Sequence, residues 1–249
     1  MFTKMFAAAA LLALTVSSAQ GSTILNAVVF DANDYNLNFG ESPNVGEDFE
    51  TLGSNLGEGE VGADFATAVG TFNTLGGVGS GGTVTKLSGN TGSMLALRDA
   101  NVFGRTNNAP LDGHWFLDTN DTFGMQWDVN ISDQAFNQVS FVIQDFSDTG
   151  AFVRITAGGE ELELRTGKKL SDGAAKVIVI DFGQEMTDAT IILGNYTTIG
   201  GEVFKNNDGF SIDGLQVRMS AVPLPMPILM LGTAIAGLGV IRRRKARTA

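Results

Sequence analysis

The 249-residue chain carries 16 Lys+Arg against 27 Asp+Glu, a formal net charge of −11, which argues against nucleic acid as a partner. With no Cys and a single His, His114, it has no disulfide framework, thiolate zinc site, iron–sulfur cluster, Cys nucleophile or His-rich metal centre. Thirty-two Gly beside 43% hydrophobic and 17% charged residues describe a loop-rich globular chain, neither disordered nor a coiled coil.

Residues 1–19 read as a secretory signal peptide. Lys4 precedes the apolar run Met5 to Val16, and the small residues Ser17 and Ala19 stand at −3 and −1 of a cleavage point before Gln20. That run is about half the ~20 residues needed to span a bilayer, so an uncleaved anchor is the weaker reading. Residues 20–221 then form the exported domain. Of the 16 basic residues, six lie in the two ends, so residues 20–221 hold 10 basic and all 27 acidic residues, a net −17. Such a charge keeps a secreted domain soluble and repels anionic polymers unless divalent cations bridge them.

Within this domain, residues 40–62 alternate Gly with Glu and Asp and are expected to form a flexible acidic loop, with at most one strand around Phe49. Gly57-Glu-Gly-Glu-Val-Gly62 and Gly77-Val-Gly-Ser-Gly-Gly82 both satisfy G-x-G-x-x-G. Neither lies between a buried strand and a helix, so neither reads as a dinucleotide site. Further on, short runs of period-two alternation predict strands: Thr83–Leu87, Met94–Leu97, His114–Leu117, Thr122–Trp127, Val139–Asp145, Ala151–Ala157, Glu161–Arg165, Lys176–Ile180, Ala189–Leu193 and Phe210–Met219. Asp133–Asn137 is the one place where a helical turn is expected. The cluster Phe146-Ser-Asp-Thr-Gly150 between two β runs predicts a hairpin. About a dozen strands with no βαβ alternation indicate an all-β fold, an antiparallel jelly-roll-like β-sandwich, with a closed barrel as the lesser alternative.

Chemical motifs are few. G-x-S-x-G, Walker A and H-E-x-x-H are absent, and His114, between Gly113 and Trp115, reads as a packing or surface histidine rather than a triad member. Glycoside hydrolysis needs only two opposed carboxylates, and the sequence gives no pair a better claim than another. Asp118-Thr-Asn-Asp-Thr122 presents alternating oxygen donors on a turn, as does Asn206-Asn-Asp-Gly209 followed by Asp213. Asp118, Asp121, Asp208 and Asp213 are therefore candidate calcium ligands, although neither segment has the Gly and Glu spacing of an EF-hand and Asx turns explain both. Trp115, Trp127, Tyr35 and Tyr196 are candidates for a sugar-stacking face, with core packing the better reading for both tryptophans.

Residues 222–249 have three parts in order: a Pro-rich motif (222–227), an uncharged apolar run (228–241) and a basic tail (242–249) containing Arg242, Arg243, Arg244 and Lys245. The apolar run is expected to be one transmembrane helix. Alone it rises about 21 Å, and counted from Val222 it reaches about 20 residues, enough to span with thinning or snorkelling. The basic cluster stops transfer and lies on the cytoplasmic side, which agrees with the signal peptide.

This tail resembles the C-terminal sorting signals of the PEP-CTERM type, in the Val-Pro-Leu-Pro-Ala variant of Gram-negative bacteria that make exopolysaccharide. Val222, Pro223, Leu224 and Pro225 match the motif, and Met226 stands where the family has Ala. The resemblance implies an exosortase-type transpeptidase as partner, which cuts near the motif and delivers the protein to the cell surface or its matrix. The Val139–Ala157 and Asp208–Gly214 segments are similar to the sandwich ectodomains found before such tails, themselves similar to carbohydrate-binding jelly rolls. In those modules a structural calcium often ties the terminal strands, which ranks Asp208 and Asp213 first. The resulting expectation is a non-catalytic surface or matrix protein in adhesion or exopolysaccharide association. An extracellular polysaccharide hydrolase and a purely structural matrix component are the alternatives.

Overall fold

The computed structural model describes residues 25–31, 44–76, 94–99, 113–120, 122–132, 134–146, 151–165, 175–199, 202–205 and 209–220. The expected signal peptide, sorting motif, transmembrane segment and basic tail, and the expected strand at Thr83–Leu87, lie outside them. Among the described residues no helix is long and apolar enough to cross a membrane.

These residues build two antiparallel sheets packed face to face. The first contains β1 (Asn26–Asp31), β12 (Lys176–Met186), β9 (Phe136–Gln144), β15 (Ser211–Met219), β7 (Trp115–Asp118), β6 (Ala96–Asp99) and β3 (Gly59–Glu60) in that order, with β2 (Asn44–Glu47) also paired to β15. The second runs β11 (Glu160–Arg165), β10 (Ala151–Ala157), β13 (Asp188–Ile199), β8 (Gly124–Asn130), β5 (Gly70–Thr74) and β4 (Phe65–Thr67), with β14 (Glu202–Lys205) paired to β13. Alternation decides which side of each strand is buried. Val139, Phe141 and Ile143 of β9 and Ile178, Ile180 and Phe182 of β12 face Val153 and Ile155 of β10 and Ile191 and Leu193 of β13 in one core. Leu162 and Leu164 of β11 pack against that core, as their spacing predicts.

Three expectations are corrected. Phe146–Gly150 does not close a hairpin, because β9 pairs with β12 and β15 in the first sheet whereas β10 pairs with β11 and β13 in the second. The two runs thus lie in opposite sheets. Both β runs can then bury an apolar face against the opposite sheet, a gain that a turn-residue cluster does not encode.

The second correction concerns residues 40–62, where the structure has a strand close to Phe49, β2, but also a seven-residue helix α1 (Glu50–Leu56) and β3 in place of a flexible loop. The expected helical turn at Asp133–Asn137 is absent from its described part, where β9 already begins at Phe136. α1 has no side-chain bond from its N-cap residue. It is held from outside: Glu50 Oε1 accepts from the backbone N–H groups of His114 (2.6 Å) and Trp115 (2.7 Å), and Gly53 lies against the Trp115 indole. A Cβ at position 53 would overlap that ring. Gly53→Ala is therefore expected to destabilise the fold by about 1–3 kcal/mol, as overpacking does. A denaturant midpoint equal to that of the parent would show that α1 is not seated on Trp115.

Candidate functional site

The chain changes sheets between β3 and β4, and this crossing shapes a groove. Both are terminal strands, β3 of the first sheet and β4 of the second, so the side of the sandwich is open where Val61–Asp64 joins them. The groove there has a volume of about 300 Å³. Leu56, Val61, Phe65 and Leu97 line its apolar side. Leu97 is fully buried, whereas Leu56, at 63% exposure, stands out among the large apolar side chains. Gly57, Gly59 and Gly62 also line it, and a Cβ at any of the three would meet no heavy atom within 4 Å. The Gly-rich composition that reads as a flexible loop thus leaves open space along one wall.

Glu58 and Glu60, both exposed, border it, and the register Gly59↔Leu97 and Glu60↔Ala96 sends their side chains to the sheet face away from Leu97. Arg98 of β6 connects them: its Nη1 lies 3.4 Å from Glu58 Oε1 and its Nη2 donates to Asn120 Oδ1 at 2.9 Å. Asn120 Nδ2 in turn donates to Glu60 Oε1 at 3.2 Å. Asn120 sits in the left-handed region at φ 50°, which Asn tolerates better than most residues, and its backbone N–H donates to Asp118 Oδ1 at 2.5 Å. An Asx turn at the end of β7 therefore presents the amide that ties the two rim carboxylates together. Arg98 and Asn120 were not candidates from the sequence, since they lie 22 residues apart and about 40 and 60 residues from the carboxylates they serve.

Two of the four candidate calcium ligands lie within the described residues. Asp118 of β7 pairs in register with Ser211 of β15, and Asp213 stands two residues further along the same strand. Leu117 and Ile212 face the core, so alternation sends both carboxylates to the opposite face. They are nonetheless almost fully buried. Asp213 Oδ1 accepts from Gly214 N at 2.6 Å, so each carboxylate engages the local backbone. Asp121 and Asp208 lie outside the described residues, and among those described no group of three or more His, Cys, Asp or Glu could hold a metal ion.

The three described candidate aromatics do not form a stacking platform. Trp127 is fully buried, with Nε1 donating to Val69 O at 3.0 Å. Trp115 packs against the core beneath α1. Tyr196 meets Phe123 and Phe152 edge-on at 5.9 and 5.1 Å, and burial pushes its phenol above the usual range. Tyr35 lies outside the described residues. His114 is exposed and its backbone, not its ring, is the part tied to Glu50.

Glu47, at the end of β2, was also not foreseen. Its Oε1 accepts from Phe49 N at 2.9 Å and its Oε2 from Ala68 N at 3.2 Å, so one carboxylate joins the entry to α1 with the turn between β4 and β5. Burial, aided by the neighbouring Asp48 charge, raises its pKa above 4.5 despite those hydrogen bonds. The folded chain therefore holds this proton more tightly than the unfolded chain does. Its contribution to stability is greatest below about pH 4.5 and declines as pH rises through the raised value. Relative to Glu47→Gln, which cannot titrate, the parent is expected to lose unfolding free energy as pH rises over that window. Urea titrations of both proteins across pH check this; a parent that gains unfolding free energy relative to the variant as pH rises would contradict it.

The fold and groove define an antiparallel β-sandwich with a binding-sized opening at one side. No protein-family model matches the sequence, and no curated protein matches it. Among solved structures, the chain is similar to a glycoside hydrolase family 43 arabinoxylan arabinofuranohydrolase from Bacillus subtilis in complex with cellotetraose, at 13% identity and a TM-score of 0.30 over 51% of this chain and 25% of that one. It is also similar to the CBM51-2 and INT domains of Clostridium perfringens ZmpB, at 13% identity and a TM-score of 0.30 over 61% and 32% of the two chains. A third similarity, to a cleaved adhesin domain of Lys-gingipain from Porphyromonas gingivalis, has 9% identity and a TM-score of 0.33 over 72% and 99%. The chain thus spans a quarter to a third of the first two. Likeness at this level says nothing of what this chain binds.

Proposed function

We propose that the protein is an exported, C-terminally sorted surface or matrix component, without catalytic activity, that associates with extracellular polysaccharide through the groove between β3 and β4. The carrying observation is the make-up of that groove: apolar side chains at Leu56, Val61, Phe65 and Leu97 beside an open wall at Gly57, Gly59 and Gly62. A pyranose has C–H faces that favour apolar contact, and a wall without side chains leaves room for its ring. A volume of about 300 Å³ lies at the lower end of small-ligand sites. The jelly-roll reading is supported by the repeated passage of the chain between sheets at β7–β8, β8–β9, β9–β10, β11–β12 and β12–β13.

Polysaccharide from an exopolysaccharide-producing host, immobilised on a surface, is expected to retain the purified full chain. Leu56→Ser and Phe65→Ser are expected to weaken retention about tenfold, equivalent to about 1.4 kcal/mol. Retention unchanged in both variants would remove the groove from the proposal. The sorting part is tested by intact mass: surface-associated protein is expected to begin near Gln20 and to end near Pro225 with an added mass. A chain that still ends at Ala249 would overturn it.

A further inference from the structure

We infer that Asp118, Asp213, Ser211 and Gln144 hold one calcium ion on the outer face of the first sheet, where it ties β7 and β9 to β15. Gln144 of β9, Ser211 of β15 and Asp118 of β7 stand in register across three adjacent strands, and Asp213 follows two residues along β15. Leu117, Ile143 and Ile212 face the core, so alternation puts all four polar side chains on the other face. None of the four is more than 6% exposed, and Ser211 is completely buried. The Ser211 hydroxyl carries the argument. Its Oγ has no hydrogen-bond partner, although it stands between an amide and a carboxylate. Buried polar atoms are satisfied with few exceptions, and an exception points to a bound ion or water.

The groups beside it select a cation. Two buried carboxylates carry the charge that one divalent ion balances, and the positions in register with them, Ala96 and Val142, are apolar and fully buried. Arg98, the cation of the adjacent strand β6, is directed to Glu58 and Asn120. An all-oxygen set of carboxylate, hydroxyl and amide suits a hard ion, and its unequal members favour calcium over magnesium, which demands near-ideal octahedral geometry. The bonds that Asp118 Oδ1 accepts from Asn120 N and Asp213 Oδ1 from Gly214 N orient the carboxylates, and a metal-bound carboxylate keeps such bonds. Asp118 and Gln144 end their strands and Ser211 begins its own, so the row lies at the end of the sheet, where an ion enters without parting the ladders. Calcium takes about six to eight oxygens, so backbone carbonyls and water complete its sphere.

The test titrates calcium chloride into the full chain, stripped beforehand with a chelator, and follows binding heat and the urea midpoint. One calcium per chain is expected to bind with a Kd of about 10⁻⁴–10⁻³ M, the range of extracellular modules, and to raise the midpoint more than magnesium does at the same concentration. Asp118→Asn and Asp213→Asn are each expected to weaken binding about tenfold or more, and Ser211→Ala about threefold. Ser211→Ala decides the case where an Asn variant fails to fold, because deleting an unpartnered hydroxyl leaves the calcium-free midpoint at or above that of the parent. A parent that binds no calcium would overturn the inference. Affinity unchanged in Asp213→Asn and Ser211→Ala would assign the ion to acidic residues outside this row and overturn the site. Equal midpoint shifts with calcium and magnesium would show screening of the net −17 of residues 20–221, and would overturn the calcium assignment.

Discussion

Trp127→Ala is expected to lower the unfolding free energy by about 3–5 kcal/mol, the range for deleting a buried aromatic side chain. Trp127 is fully buried and stacks on Phe72 at 5.5 Å with an interplanar angle of 18°. It meets Phe141 of the opposite sheet edge-on at 5.9 Å, so one side chain couples β5 and β8 to β9 across the core. Its N–H also satisfies the buried carbonyl of Val69 at 3.0 Å. Removing the ring leaves a cavity between the sheets and an acceptor with no donor, two costs that add. Since a domain of this kind is stable by about 5–15 kcal/mol, the variant retains only part of its margin. Trp127→Phe keeps most of the ring and loses the donor, and it is expected to fall between the two. Urea unfolding followed by circular dichroism measures all three proteins. A loss below about 1 kcal/mol for the alanine variant would mean that the sheets are not clamped at this point.

Gly124→Ala is expected to cost about as much, by a different route. Gly124 begins β8 with φ 134°, a conformation that L side chains rarely adopt, and a Cβ there would overlap the backbone carbonyl of Leu193 on β13. Strain at such a position costs about 1–3 kcal/mol and overpacking about 1–3 more. Backbone rather than a flexible side chain stands in the way, so relief requires β13 to move away from β8 and weakens the Gly124 to Leu193 end of that ladder. Gly70 has the same arrangement against Asp128 of β8 and is expected to behave alike. Gly62→Ala is the control. It adds the same methyl group where no heavy atom lies within 4 Å, and it is expected to change stability by less than about 0.5 kcal/mol. Equal stability of the Gly124 and Gly62 variants would show that β8 and β13 do not approach as described.

The strands were the most legible part of the chain. Ala151–Ala157 has the bounds its alternation predicts, and Glu161–Arg165 differs by one residue. Lys176–Ile180 and Ala189–Leu193 were found but extend further, to Met186 and Ile199. Beyond Ile180 the strand passes through Asp181, Gly183 and Gln184, residues that carry no alternating apolar signal, and its pairing with β9 shifts register there. The groove was not legible. Leu56, Phe65 and Leu97 are ordinary apolar residues in sequence, and Gly57, Gly59 and Gly62 belong to a run that reads as solvated loop. What makes them a site is the meeting of two terminal strands beside Leu97, which brings distant parts of the chain together.

Composition alone excluded cysteine chemistry and a His-rich metal centre and set the acidic character of the chain. Period-two alternation alone pointed to a β-sandwich and, at Glu161–Arg165, to which side packs on the core, because that pattern is local to each strand. Tertiary structure decided which sheet each strand joins, as with β9 and β10 on opposite sides of the core, because alternation names a buried face without naming what covers it. It also decided the existence of α1. That helix has no side-chain bond from its N-cap residue and too few residues to be stable alone, and it forms because Gly53 and Glu50 meet Trp115 and its neighbouring backbone, partners that lie more than 60 residues away.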